Sequence, residues 1–174
     1  MDGIKDRLTT EDEREAILWG SKNRSSTEKI NKCYLFGKTE EYNEHGLIWT
    51  KFFQLARLGY LGAVISDTKL EEIRRVQNLK ITIVTYGDRE GFADNYHVHL
   101  KQGEKKILAQ IVRPGKYEPT HLAYPPKPGE PRSKTIVEAF FLYSEIDRKA
   151  KTVIVLDKGE DIEVPFPVDF SRYK

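Results

Sequence analysis

A single cysteine, Cys33, and a single methionine are all the sulfur the 174-residue chain contains. One cysteine excludes an internal disulfide and any cysteine-based metal cluster. That usage fits a cytosolic protein, and equally an exported bacterial protein that manages without disulfides. Long apolar runs are also missing. The longest candidate, Leu55 to Ile65, is interrupted by Arg57, Gly59 and Gly62, far short of the about 20 residues a membrane-spanning helix needs. The opening "MDGIKDRLTTEDERE" has no basic start followed by an apolar stretch, so no signal peptide is legible in it. The expected location is therefore cytoplasmic, or extracytoplasmic if a leader has been removed.

Neither sign of charge dominates. Lys+Arg number 29 against Asp+Glu 27, for a formal net charge of +2. Neutralising several phosphates takes a clustered basic face, and these charges are interspersed, which argues against nucleic-acid binding. No glycine-rich phosphate loop appears, since Gly59 and Gly62 sit in an apolar helix and its exit. The serines match no nucleophile elbow, and no solenoid-type repeat is present.

What remains is the composition of a folded, soluble chain: 39% hydrophobic, 11% aromatic and 32% charged, long enough for one body with a substantial core. Thr10-Glu11-Asp12-Glu13 reads as a capping box opening a first helix, with Ala16, Ile17 and Trp19 on its apolar side and Gly20 placed to stop it. Cys33 to Phe36 reads as a short strand closed by Gly37. A second helix spans about Thr50 to Leu61, its apolar stripe formed by Trp49, Phe52, Phe53, Ala56 and Tyr60 and its polar stripe by Lys51, Gln54 and Arg57. Asp67 is the expected cap of a third helix, with Leu70, Ile73 and Val76 on one side.

After Lys80 the texture changes. "KITIVTY", "YHVHL", "KILAQIV", "TIVEAFFLY", "KTVIVL" and "IEVPFPV" are short β-branched and aromatic segments separated by turn residues, the pattern of an antiparallel sandwich of immunoglobulin-like size. Pro165 and Pro167 place the last segment at an edge, because proline donates no ladder hydrogen bond. The expected fold is α+β, with a helical region over 1–79 packed on an antiparallel β-sandwich over 80–174 as one unit.

Three stretches, "TTEDEREAILWGSKN", "LIWTKFFQLARLGYLG" and "FFLYSEIDRKAKTVIVLDKGEDIEVPFPVDFSRYK", give the chain a weak resemblance to a loosely defined group of uncharacterised bacterial proteins, many of them exported. The resemblance implies a helical N-terminal part, a C-terminal β-domain and an extracytoplasmic location. It brings no catalytic residues.

Two candidate sites stand out. In "NYHVHLK", His97, His99 and Lys101 share one strand face while Tyr96, Val98 and Leu100 take the other. Two histidines so spaced can begin a divalent-metal site, yet such a site needs a third and usually a fourth ligand. The alternative is a solvated strand face. "DREGFADN", Asp88 to Asn95, has oxygen ligands suited to calcium without the spacing of an EF-hand loop. The second candidate is the stretch Arg113 to Lys134, which holds six of the eight prolines. Its Tyr117, His121 and Tyr124 offer rigid aromatic surface among five bases and two acids, suited to a protein or carbohydrate partner. Its structural alternative is a stiffened crossover between the two sheets. Glu138 is expected to face outward from its strand, and Trp49, Phe52 and Phe53 to lie in the core. The functional expectation is a non-enzymatic binding or structural module without a cofactor. The alternative is a metal-binding protein or metal-dependent hydrolase centred on His97 and His99.

Overall fold

The first helix, α1 (Thr10–Lys22), starts one residue earlier than its sequence suggests. Thr9 is the cap: its hydroxyl accepts from the Asp12 amide at 3.1 Å, and the Asp12 carboxylate accepts from the Thr9 amide at 2.9 Å. The reason lies in where the acids are needed. Asp12 also takes the Lys5 ammonium at 2.9 Å, while the buried Glu13 reaches across to the Arg74 guanidinium, with both contacts at 2.7 Å. Gly20 does not end the helix either. It lets a second helix cross closely: a Cβ on Gly20 would lie 1.9 Å from the Ala56 carbonyl oxygen, and one on Gly59 would lie 2.3 Å from that of Ile17. The structure, a computed structural model, describes residues 4–24, 27–38, 42–120 and 127–173, with backbone only at 27, 29 and 30.

Beyond the short α2 (Thr27–Lys32), strands β1 (Leu35–Gly37) and β2 (His45–Trp49) pair antiparallel, and α3 (Lys51–Leu61) follows at once. Thr50 caps α3, its hydroxyl accepting from the Phe53 amide at 3.1 Å, and Gly62 ends it at φ 67°, a left-handed conformation that glycine adopts without strain. Phe52, Phe53, Leu55 and Ala56 are buried, and so is Lys51, which leaves the expected polar stripe. α4 (Asp67–Arg75) is capped by Ser66 and buries Ile73.

The remaining strands are β3 (Asn78–Gly87), β4 (His97–Gln102), β5 (Lys105–Leu108), β6 (Ile111–Pro114), β7 (Glu118–Pro119), β8 (Ser133–Leu142), β9 (Thr152–Asp157) and β10 (Glu163–Val168). They form two antiparallel sheets, the larger in the order β1-β2-β3-β8-β6 with β7 also on β8, and the smaller in the order β10-β9-β4-β5. Ile81, Ile83, Val137, Ala139 and Phe141 of the larger sheet and Val98, Leu100, Ile154, Leu156 and Phe166 of the smaller belong to one buried core. The architecture is thus the α+β arrangement of N-terminal helices and an antiparallel sandwich. Two strands from the first 79 residues, β1 and β2, complete the larger sheet. "KILAQIV" is not one strand: β5 lies in the smaller sheet and β6 in the larger, with Ala109 and Gln110 carrying the chain across. β10, with its two prolines, is an edge.

The proline-rich stretch is more regular at its start than expected. Arg113 and Pro114 lie in β6, and Glu118 and Pro119 form β7, both paired to β8 on the larger sheet. That stretch therefore returns within one sheet rather than crossing between two. Among the described residues, no helix is long and apolar enough to cross a membrane.

Candidate functional site

The two faces of the larger sheet differ in kind. One is the core. The other is laid out in rows by the strand register: Trp49, Lys80, Phe140 and Ile111 abreast, then Leu35, Leu47, Thr82, Glu138 and Arg113, then His45, Val84 and Ile136. Ile111 and Ile136, one on each side of the Glu138–Arg113 row, are 54% and 48% exposed, unusual for branched apolar side chains on one sheet face. A hollow of about 590 Å³ runs over this face between Leu47, Trp49, Thr82, Val84 and Glu138. A second, of about 670 Å³, adjoins it beyond Trp49 and Lys80 and is walled by Arg57, Leu61 and Glu72. A third, of about 320 Å³, continues past Val84 and Ile136 to Gly115 and Lys116 of the β6–β7 turn.

A polar cluster occupies the centre of the face. Glu138 accepts from Lys80 and, at 2.8 Å, from Arg113. Partial burial pushes its carboxyl up, but the two cations outweigh that and hold it below the ordinary glutamate value. Lys80 lies 5.6 Å from the Trp49 ring centre and 5.9 Å from that of Phe140, while Arg113 lies 5.3 Å from Phe140 and Arg57 5.7 Å from Trp49. These are cation–π distances. The Trp49 indole donates to the Thr82 hydroxyl at 3.0 Å, and Arg57 donates to the Asn31 side chain at 3.0 Å. One carboxylate thus serves two cations, and Arg57 leans on neutral partners, so the face carries surplus positive charge above an apolar floor.

Of the residues singled out in the sequence, Tyr117 stands beside this face but is occupied. Its hydroxyl donates to Asp94 at 2.6 Å and its ring meets Phe92 at 5.5 Å, clamping the β6–β7 turn to the β3–β4 loop. Burial, reinforced by that carboxylate, pushes its phenol up to about 12. His121 and Tyr124 lie outside the described residues. Arg113 joins the central cluster, and Lys134 pairs with Glu118 at 3.3 Å.

His97 and His99 share a strand face as expected, yet that face is not uniformly wet. His97 is exposed and His99 is 1% exposed, beside the equally buried Val155 opposite it in the sheet. Burial, helped by Lys106, lowers the His99 imidazole below its ordinary value, and its Nε2 has no hydrogen-bond partner among the described residues. Glu163 approaches Nε2 only to 3.8 Å and is held by Lys101 at 2.8 Å. In the loop considered for calcium, the Asp94 carboxylate is taken by Tyr117. Among the described residues, no three His, Cys, Asp or Glu side chains converge to hold a metal ion.

The spacing of Trp49 to Phe52 and Phe53 groups it with the core. It lies instead at the end of β2, half-buried on the open face and packed against the core from that side, its ring 5.0 Å from that of Phe53. The readable signal for this site is in the strands themselves: at the outward positions of "KITIVTY" and "TIVEAFFLY", where polar residues belong, Val84, Ile136 and Phe140 are apolar. Comparison of the chain with family models, with curated proteins and with solved structures finds no match.

Proposed function

We propose that the protein is a non-enzymatic binding module that holds a segment of a protein partner against the open face of its larger sheet. The observation that carries this is the pair of exposed isoleucines, Ile111 and Ile136, with half-buried Phe140 and Val84 beside them, on either side of the Lys80–Glu138–Arg113 cluster. Exposed apolar area costs solubility unless something covers it, and the surplus positive charge selects a covering segment that bears acids beside its apolar residues. A polypeptide fits better than a saccharide. A sugar stacks on a bare aromatic face, whereas the Trp49 and Phe140 rings already have lysine or arginine above them. The β6–β7 turn borders the same face, so Gly115, Lys116 and Glu118 from the start of the proline-rich stretch form one rim of the surface.

Selection from a random peptide library displayed on phage tests this reading, followed by titration of the selected peptides against folded variants. We expect acidic residues interleaved with apolar ones to be enriched, and affinity to fall at least tenfold, about 1.4 kcal/mol, in Ile136→Asp and in Arg113→Glu. Peptides that bind both variants as well as the parent would sink the proposal. A glycan array that gave binding sensitive to Ile136→Asp would transfer the face to carbohydrate.

A further inference from the structure

Away from the sheet face, a hollow of about 570 Å³ opens where the start of α3, the end of α4 and the end of β8 meet. Its lining carries Arg7, Lys51, Arg74 and Arg75 against one acid, Asp6. Counting the groups that pair with these residues, Glu13, Glu71 and Arg148, there are five cations and three acids. The acids are committed: Asp6 to Arg148 at 2.7 Å, and Glu13 and Glu71 to Arg74 at 2.7 and 2.6 Å.

Two side chains in this hollow are buried without adequate partners. Lys51 is 2% exposed; its ammonium donates to the Arg74 carbonyl at 2.6 Å, a neutral acceptor that leaves further donor capacity, and its charge is answered by the face of the Tyr143 ring at 5.9 Å and by the field of Asp6, itself paired with Arg148. Tyr143 is 4% exposed, and its hydroxyl has no hydrogen-bond partner among the described residues. The Lys51 amide lies near that hydroxyl without closing a hydrogen bond. A buried hydroxyl left unmade costs about 1–3 kcal/mol, and a buried ammonium more. Desolvation accordingly pulls the Lys51 ammonium below its ordinary value, opposed by Asp6. An anion seated between them would satisfy both groups, with the field of the α3 N-terminus and the exposed Arg7 and Arg75 adding to the attraction.

We infer that this hollow is a binding site for the phosphate group of a small molecule, held by the Lys51 ammonium and the Tyr143 hydroxyl with Arg7 and Arg75 at the rim. A dianion matches the excess of two cations over acids, and the space exceeds what a bare phosphate fills, leaving room for a small organic substituent. This site is independent of the peptide-binding face, and its failure would leave that reading untouched.

The test titrates the 174-residue chain with inorganic phosphate and, separately, with phenyl phosphate at constant ionic strength, following backbone amide NMR shifts. We expect saturable shifts confined to the starts of α1 and α3, the end of α4 and the end of β8. The midpoint should rise at least tenfold in Lys51→Met and severalfold in Tyr143→Phe. The second variant removes one oxygen and should leave the ligand-free melting temperature unchanged or higher, which separates ligand binding from structure. Should Lys51→Met fail to fold, the exposed Arg7→Ser and Arg75→Ser carry the decision. Unchanged midpoints in the variants, or no localised shifts in the parent, overturn the inference. Acetate binding as tightly as phosphate also overturns it, by making the hollow a carboxylate site. Tighter binding of phenyl phosphate than of the free ion assigns the site to a phosphomonoester, and the reverse order assigns it to inorganic phosphate.

Discussion

Glu138 holds together two elements that would otherwise repel, because Lys80 on β3 and Arg113 on β6 both reach it across the sheet. The sign of its pH dependence follows from its carboxyl being held below the ordinary value of 4.5 in the fold. A depressed folded-state value means that the stabilisation is complete above the unfolded value and is lost as pH falls through the folded one. Glu138→Gln should therefore lower the melting temperature at pH 7 by an amount worth about 1 kcal/mol, since the pair is partly exposed. The gap between variant and parent should close as the pH is taken below about 4.5 toward 3, and thermal unfolding across that range checks it. A gap that persisted at pH 3 would place the role of Glu138 outside its charge. The outward direction of Glu138 was legible from the alternation of Val137, Ala139 and Phe141. The cations it meets were not, because Arg113 is 25 residues away and Lys80 is 58, and no local pattern encodes such a pairing. The burial of His99 was hidden for the same reason: alternation assigns it a face, and only the neighbouring strands determine whether that face is covered.

Among elements, the crossing of α1 on α3 depends on two small residues meeting backbone to backbone. Gly20 and Gly59 each sit where a Cβ would overlap a carbonyl oxygen of the opposite helix. Replacing a helical glycine with alanine ordinarily stabilises by about 1 kcal/mol through propensity. Here overlap with main-chain atoms dominates, and Gly20→Ala should destabilise by about 2 kcal/mol or more as the helices are forced apart. Chemical denaturation of Gly20→Ala and Gly59→Ala measures this, and a neutral or stabilising outcome would mean that the helices are not so closely seated. The helices themselves were readable from caps and from the three-and-four spacing of apolar residues. Gly20 misled because the same residue that ends a helix also permits close approach, and sequence does not distinguish the two. β2 was missed because it is only five residues long and includes Gly46, a residue depleted in strands. That glycine is required because a Cβ there would fall 2.1 Å from the Thr82 carbonyl oxygen. With β2 unread, Trp49 looked like the first turn of α3, and the open face lost its tryptophan.

At the scale of the molecule, the change of texture near Lys80 does not coincide with a structural seam. β3 draws its neighbour on one side, β2, from the first 79 residues, through the register His45 to Val84 and Trp49 to Lys80. Phe36 of β1 packs edge-on against Phe166 of β10 at 5.2 Å, tying the opposite sheet to the same N-terminal stretch. Tyr34 stacks on Phe53 at 4.3 Å and approaches Tyr173 at 5.7 Å, so the C-terminal end also leans on residues from the beginning. A fragment comprising residues 78–174 would keep most strands yet lose one ladder of the ten-residue β3, the Phe36 ring against Phe166 and the Tyr34 ring against Tyr173. A long strand left with one open edge and bearing isoleucines is a template for aggregation. We expect this fragment to be either poorly dispersed in a two-dimensional amide NMR spectrum or associated in sedimentation, while the full chain gives a dispersed spectrum and a single species. A monomeric, well-dispersed fragment would show that the sandwich folds without β1 and β2, and the open face, all three of whose rows run through β2, would then have to be completed by the N-terminal region after the core had formed.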